Sequence, residues 1–228
     1  MLDFLLKKPS KPVDGGPVLV LLHGRGSDMR DLQGLAPVLP ENGTLVTPQA
    51  PHPGDRWGYG PGWAWYEYTG YGKADGPSMR ESLRLLEEFL DGLPQRIGFQ
   101  PGPLVLGGFS QGGTMSLGFA LTRPGAVDGV VVLSGFLATE EAIGAGPRAM
   151  FSVPEDQGHP PLFWAHGTQD PSVPFTLAVE GRRRLREAGI EMDTRDYPMG
   201  HWVTPEEMKD LKKWLGDSVP GWPRSENG

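Results

Sequence analysis

Val-Leu-Gly-Gly-Phe-Ser-Gln-Gly-Gly, residues 105–113, is the stretch that decides how this chain folds. An apolar run at 104–106 leads into it and a helical pattern follows it, so we predict a strand that turns sharply into a helix. At its centre Ser110 lies between Gly108 and Gly112 in a Gly-x-Ser-x-Gly motif. A serine at such a turn adopts a strained backbone, and flanking glycines give it clearance. We predict that Ser110 is a nucleophile; a tightly packed glycine turn without chemistry is the alternative.

Short apolar runs with little alternation recur along the chain and are separated by helical patterns. Such runs are typical of buried parallel strands, and their alternation with helices predicts an α/β fold: a mainly parallel central sheet with helices on both faces. Ligands of such sheets bind beyond the carboxyl ends of the strands. The predicted strands lie at 18–22, 45–46, 104–106, 130–133 and 162–165, and the predicted helices at 79–93, 176–188 and 205–215.

The composition excludes several classes of function. With 228 residues, 38% of them hydrophobic and 21% charged, the chain fits one soluble globular domain, expected to span 1–228 with a polar tail at about 218–228. The net charge of -7 argues against nucleic acid and anionic membranes as partners. The absence of cysteine excludes disulfides, a thiolate nucleophile and cysteine-ligated zinc. The densest basic stretch, 182–186, lies beside acidic residues and predicts a solvated helix face.

We expect no signal peptide at the N-terminus. The apolar run before Lys7 and Lys8 is too short, and in the wrong order with its basic pair, for a signal peptide. No apolar run approaches the roughly 18 residues that a membrane span requires. We therefore expect a cytoplasmic protein with no membrane span.

A serine hydroxyl becomes nucleophilic when an imidazole takes its proton and a carboxylate fixes the imidazole's tautomer. On the α/β-hydrolase fold these residues follow in the order serine, acid, histidine, which excludes His23 and His52. His201 follows the expected last strand and precedes the last helix, so it is the predicted base. We interpret His166, next to a strand, as a buried hydrogen-bonded residue and His159 as a surface loop residue.

Asp170 is the predicted acid of this triad. It ends a His-Gly-Thr-Gln-Asp segment that follows a strand, and Pro171 stiffens the loop after it. Three other acids follow the serine without combining a preceding strand and such a loop: Asp128, Asp156 and Asp196. The sequence therefore favours a Ser-His-Asp relay built on Asp170.

Acyl transfer develops negative charge on the former carbonyl oxygen, and two backbone amides usually stabilise it. The residue after the nucleophile, Gln111, supplies one amide in α/β-hydrolases. The glycine-rich loop after the first strand supplies the other, and we assign it to Arg25.

Seven segments, in order, resemble the phospholipase/carboxylesterase family, which includes bacterial carboxylesterases and acyl-protein thioesterases. They are Leu-His-Gly-x-Gly at 22–26, Pro-Gln-Ala-Pro at 48–51, Trp-Tyr at 65–66, residues 107–113, Leu-Ser-Gly at 133–135, His-Gly-Thr-Gln-Asp at 166–170 and Met-Gly-His at 199–201. The resemblance implies an α/β-hydrolase fold without a large lid domain. It also implies a carboxylesterase with catalytic Ser110, Asp170 and His201, an oxyanion hole from Arg25 and Gln111, and no metal or organic cofactor.

Two residues depart from the family pattern. Members commonly carry an apolar residue where Arg25 stands and a smaller or polar one where Trp202 stands. Because Arg25 would act through its amide, we expect catalysis to persist while its side chain alters substrate preference.

The expected substrate is a small carboxylic ester or thioester with a short to medium acyl chain. Aromatic residues crowd a long loop at 51–77, and we predict that Trp65 and Tyr66 bind the substrate; anchoring of the loop to the core is the alternative. A second loose segment, 138–161, could cover the cleft as a flap or lie on the surface. The alternatives in function are a peptidase or dienelactone-type hydrolase on the same fold, or a non-catalytic binding protein. The sequence does not distinguish a monomer from a homodimer.

Overall fold

A computed structural model describes residues 1–9, 13–144 and 159–224. Its strands are β1 (Phe4–Lys7), β2 (Val18–Leu22), β3 (Thr44–Pro48), β4 (His52–Pro53), β5 (Trp63–Ala64), β6 (Tyr68–Gly70), β7 (Lys73–Ala74), β8 (Leu104–Phe109), β9 (Gly129–Leu133), β10 (Leu162–Gly167) and β11 (Asp193–Tyr197). Its α-helices are α1 (Gly76–Asp91), α2 (Leu93–Ile97), α3 (Gln111–Thr122), α4 (Glu140–Ile143), α5 (Phe175–Glu187) and α6 (Pro205–Ser218). Two 3-10 helices lie at Asp31–Val38 and Gly54–Trp57.

Seven strands form one sheet in the order β1-β3-β2-β8-β9-β10-β11. Neighbouring strands pair in parallel, except that β1 pairs antiparallel with β3 at one edge. Each of the five predicted strands lies in this sheet, so the predicted α/β fold with a mainly parallel central sheet is confirmed. No large lid domain is present in the described part of the chain.

The sheet is buried on both faces because its central strands are apolar throughout. In β2, Val18 and Val20 belong to one core cluster, and Leu19 and Leu21 belong to the other, as the two-residue period of a strand requires. Helices α1, α3 and α5 contribute to the first cluster; α6 and the 3-10 helix Asp31–Val38 contribute to the second. Helices therefore cover both faces, as predicted.

Several predictions needed correction. The predicted helix 79–93 begins earlier, at Gly76, and ends at Asp91 before a separate α2. The tail expected to be polar begins with Val219 and Trp222, which are buried in the second core cluster. Arg182, expected on a solvated face, is also buried.

Of the two segments expected to be long loops, 51–77 is described in full and 138–161 in part. The loop at 51–77 contains two small two-stranded sheets, β4-β5 and β6-β7, which hold its aromatic residues in place. Of the segment 138–161, α4 is described, whereas 145–158, where the flap was suspected, lies outside the described residues. None of the helices in the described ranges combines the length and apolar character needed to cross a bilayer.

Candidate active site

Ser110 is held in a strained conformation at the junction of β8 and α3. Its φ of 56° and ψ of -117° lie in a region that side-chain-bearing residues rarely adopt, as the motif predicted. The amide of Ser110 donates to the carbonyl of Leu133 in β9 at 2.8 Å, which ties the turn to the neighbouring strand. Strain at a tightly anchored serine is the expected signature of a nucleophile at such a turn.

The flanking glycines allow α3 to approach the sheet closely. A Cβ on Gly108 would lie 2.6 Å from the carbonyl oxygen of Leu22, and a Cβ on Gly112 would collide with the same carbonyl group. No larger side chain fits at either position without moving the backbone. The glycines therefore place the N-terminus of α3, whose first amides have no intrahelical acceptor, against β2.

Asp170 and His201 form a direct hydrogen-bonded pair. The Nδ1 atom of His201 donates to Oδ2 of Asp170 at 2.6 Å. The other carboxylate oxygen, Oδ1, accepts from the amides of Ser172 and Val173 at 2.8 and 2.9 Å. Three donors thus fix a fully buried carboxylate, and this carboxylate fixes the histidine tautomer so that Nε2 is left as the basic nitrogen.

Ser110 and His201 line the same cavity, which has a volume of about 260 Å³. Arg25, Tyr68 and Tyr71 contribute to its walls. The structure therefore brings together three residues separated by 60 and 31 positions along the chain: the predicted nucleophile, the predicted base and, behind the base, the predicted acid.

The predicted oxyanion loop is a tight turn at the end of β2. The amide of Ser27 donates to the carbonyl of Gly24 at 3.3 Å, so Arg25 and Gly26 are the central residues of the turn. The amide of Gly26 is used by the carbonyl of Trp63, at 2.8 Å. The amide of Arg25 takes no part in the hydrogen bond that closes the turn. The amide of Gln111 has no intrahelical acceptor, because Gln111 is the first residue of α3.

His23, which the order of the chain excluded as a base, lies buried beneath this turn. Its Nδ1 donates to the carbonyl of Gly24 at 2.8 Å, and its Nε2 accepts from the amide of Ala50 at 3.1 Å. Burial lowers the pKa of His23, so the neutral ring that this bonding pattern requires is favoured. Sequence reasoning missed this supporting role, although a histidine directly after an apolar strand was a signal of burial.

Trp65 and Tyr66, the predicted substrate-binding residues, are fully buried and do not line the cavity at Ser110. The amide of Trp65 donates to Oε1 of Gln111 at 3.0 Å, and Nε2 of Gln111 donates to the carbonyl of Tyr66 at 2.7 Å. The indole of Trp65 donates to the carbonyl of His23 at 2.9 Å. Trp65 and Tyr66 thus connect the two predicted oxyanion segments through the core. Their burial fits the alternative interpretation, in which these residues anchor the loop to the core.

The remaining candidate residues have structural partners. Nε2 of His166 donates to the carbonyl of Val173 at 2.7 Å, and burial lowers the pKa of His166, as a buried hydrogen-bonded histidine should show. Asp196 accepts from the buried Arg182 at 2.6 Å, and Asp128 accepts from the amide of Leu104 at 2.8 Å. Asp156 lies outside the described residues.

His201 also lines a second cavity, of about 390 Å³. Its walls are mostly apolar and come from the 3-10 helix Asp31–Val38, from the strand end at Phe109 and from the loop and helix after His201. Trp202, one of the two departures from the family pattern, lines it and is 57% exposed. We call this cavity the apolar groove; its lining residues are Asp31, Leu32, Gly34, Leu35, Phe109, His201, Trp202, Val203 and Met208.

Within the described part of the chain, no group of three or more histidine or acidic side chains is arranged to hold a metal ion. The cavity at Ser110 offers a serine hydroxyl, an imidazole paired with a carboxylate, and the guanidinium of Arg25.

The chain is similar in sequence to known proteins. The profile of the Phospholipase/Carboxylesterase family matches residues 6–218. Carboxylesterase SOBER1 of Arabidopsis thaliana is 29% identical over 150 residues, which cover 64% of this chain and 62% of that protein. Acyl-protein thioesterase 1 of Gibberella zeae is 31% identical over 144 residues, or 61% of this chain and 60% of that protein. The aligned regions thus span about three fifths of either relative.

Solved structures share the fold over nearly the whole chain. The crystal structure of Zea mays acyl-protein thioesterase 2 superposes with a TM-score of 0.76 at 24% identity, covering 95% of this chain and 98% of that one. The crystal structure of esterase PE8 superposes with a TM-score of 0.74 at 23% identity, covering 96% and 99%. At these identities the likeness establishes the α/β-hydrolase fold.

Proposed function

The chain belongs to the phospholipase/carboxylesterase family, and from this membership we propose that it is a serine hydrolase that cleaves carboxylic esters or thioesters. We further propose that Ser110, His201 and Asp170 are its catalytic triad. The observation that carries the proposal is the cavity shared by Ser110 and His201, with the buried Asp170 bonded to the far side of the imidazole.

In the proposed acylation step, Nε2 of His201 takes the proton of the Ser110 hydroxyl as its oxygen attacks the carbonyl carbon. The carbonyl π electrons move onto oxygen, and the amides of Arg25 and Gln111 donate to the resulting oxyanion. Removing one such donor typically costs about a hundredfold to a thousandfold in rate. The intermediate then collapses, the bond to the alcohol or thiol breaks, and His201 returns the proton to the leaving atom.

Deacylation repeats these roles with water as the nucleophile. His201 takes a proton from water, the hydroxide oxygen attacks the acyl carbon, and the Ser110 oxygen leaves with the proton that His201 returns. Throughout both steps Asp170 keeps the imidazole oriented, because two backbone amides and the Nδ1 proton of His201 hold its carboxyl group in place.

The two cavities that His201 lines suggest how an ester lies in the site. We place the leaving alcohol in the apolar groove, because this groove also reaches the imidazole of His201, which hands its proton to that alcohol. The acyl part then occupies the smaller cavity at Ser110, beside the turn that contains Arg25. Its volume of about 260 Å³ is below the roughly 300–1,000 Å³ of pockets for drug-sized ligands, which favours the short to medium acyl chains expected from the sequence.

Labelling with a fluorophosphonate probe, which reacts with activated serines, tests the nucleophile. We expect the wild type to be labelled and Ser110→Ala to be unlabelled, with ester hydrolysis lost in parallel. Ser134→Ala is the matched control, because Ser134 also follows a strand at positive φ, 51°, yet is fully buried. Labelling that persists in Ser110→Ala would refute the assignment, and an unlabelled, inactive wild type would favour the non-catalytic alternative.

A further inference from the structure

Arg25 places a positive charge inside the cavity that holds Ser110. Among the described residues that line the cavity, Arg25 is the one lysine or arginine, and none is acidic. The chain as a whole carries a net charge of -7, so this local positive charge runs against the overall balance. A cation in a concave wall raises the local concentration of anions at the reacting serine.

Two aromatic rings hold the Arg25 guanidinium in place. Its central carbon lies 4.8 Å from the ring centroid of Tyr59 and 5.2 Å from that of Tyr68. The Tyr59 hydroxyl accepts from the amide of Tyr68 at 2.7 Å, so the two rings are themselves fixed within the loop. Cation–π contacts orient a guanidinium without neutralising its charge, and they leave its N–H donors available.

The charge of Arg25 has no acidic partner within the ranges that the structure describes, in contrast to other arginines of this chain. Arg30 pairs with Asp28, and Arg182 pairs with Asp196. A guanidinium positioned by rings, unpaired and facing a catalytic cavity is a binding group for an external carboxylate, which it can engage through two parallel hydrogen bonds.

We propose that the enzyme prefers esters whose acyl part carries a carboxylate, and that Arg25 is the residue that selects them. The inference rests on the proposed function of the same site. The acyl side is chosen because Arg25 belongs to the proposed oxyanion turn and lines the cavity at Ser110, whereas the leaving alcohol is placed in the apolar groove.

Monoethyl glutarate and its uncharged isostere, ethyl 5-methylhexanoate, test the proposal. The quantity measured is the ratio of their kcat/KM values, because a ratio cancels any general effect of a substitution on the oxyanion turn. We expect Arg25→Met, which keeps the side-chain length and the backbone amide, to lower this ratio by about fivefold to tenfold. Arg25→Lys, which keeps the charge without the planar fork, should lower it less.

A matched control and a second pair of esters define the outcomes. Arg84→Met removes the same charge from the exposed face of α1, where Arg84 pairs with Glu88, and should leave the ratio at its wild-type value. In the second pair, 4-acetoxybutanoate and 4-methylpentyl acetate, the carboxylate and its uncharged isostere are on the alcohol part of the ester. A change confined to the acetate pair would overturn the acyl assignment, and no change in either pair would overturn the role of Arg25. In both of these outcomes the proposed function would still be supported if the wild type hydrolysed the neutral esters. If the wild type hydrolysed none of them, the proposed function itself would be contradicted.

Discussion

Glu207 is a fully buried carboxyl group at the third position of α6. It forms a capping box with Thr204: the hydroxyl of Thr204 accepts from the Glu207 amide at 3.2 Å, and a Glu207 carboxyl oxygen accepts from the Thr204 amide at 3.4 Å. Its other oxygen, Oε1, has no hydrogen-bond partner. Burial raises the pKa of Glu207 to about 7, against the opposing effect of the Thr204 amide. This residue caps the helix that follows the His201 loop.

We expect the stability of the protein to fall between pH 4.5 and about 7 because of Glu207. The folded state binds the proton more tightly than the unfolded state, so the stabilisation is complete below the unfolded pKa of 4.5 and is lost as pH rises through about 7. Glu207→Gln cannot ionise and can still complete the capping box. Relative to this variant, the wild type should lose about 3 kcal/mol of unfolding free energy, measured by urea denaturation at pH 4.5 and pH 8.

Glu206→Gln is the control for this measurement, because Glu206 is exposed in the same helical turn. It should follow the pH dependence of the wild type. If Glu207→Gln followed that dependence as well, the buried carboxyl group would not be the cause.

At the scale of elements, the junction of β8 and α3 depends on close backbone contact. Gly112 faces the carbonyl of Leu22 in β2, and Gly135 lies against α3 in the same way, with its Cβ position 2.9 Å from the Thr114 amide nitrogen. Such contacts leave no room for a methyl group. The strained conformation of Ser110 is therefore maintained by contacts between elements, and not by the motif alone.

We expect Gly112→Ala to destabilise the protein by at least about 1–3 kcal/mol, the usual cost of overpacking, because its Cβ would overlap the Leu22 carbonyl. The measurement is the shift in urea midpoint or Tm. Gly34→Ala serves as control, since nothing lies within 4 Å of a Cβ built there, and it should change stability by less than about 0.5 kcal/mol. Equal stability of Gly112→Ala and the wild type would contradict the packing argument.

At the scale of the whole molecule, two cavities of opposite character meet at His201. The polar cavity at Ser110 is lined from the turn after β2, the loop containing β6 and β7, and the loop after β10. The apolar groove is built from the 3-10 helix Asp31–Val38 and the segment around Trp202, which are far apart in sequence. A substrate with a charged acyl part and an apolar alcohol part matches this division.

Acetate esters of alcohols of increasing length should report on the apolar groove. We expect kcat/KM to rise by up to about fourfold per methylene, the equivalent of about 0.8 kcal/mol, until the groove is filled. Trp202→Ala should reduce the slope, while Val179→Ala, an apolar truncation at an exposed position of α5, should not. A flat dependence on alcohol length in the wild type would show that the groove does not bind this part of the ester.

Local patterns were sufficient to predict much of the fold and the candidate triad. Apolar runs marked five strands of the sheet, and a serine between glycines at a strand end marked the strained turn, because both signals depend on residues adjacent in the chain. The order of serine, acid and histidine excluded His23 and His52, and the strand and proline context then favoured the Asp170–His201 pair, which the structure shows hydrogen-bonded at 2.6 Å.

Other features depended on contacts between distant segments. The composition of the aromatic loop did not reveal that Trp65 and Tyr66 face the core while Tyr68 faces the cavity, because that choice depends on Gln111 and on the packing of α3. The burial of Arg182 likewise follows from Asp196 on a neighbouring strand. Periodicity identifies which segments are strands and helices, but which side chain meets a cavity, a partner or solvent is decided when those segments pack together.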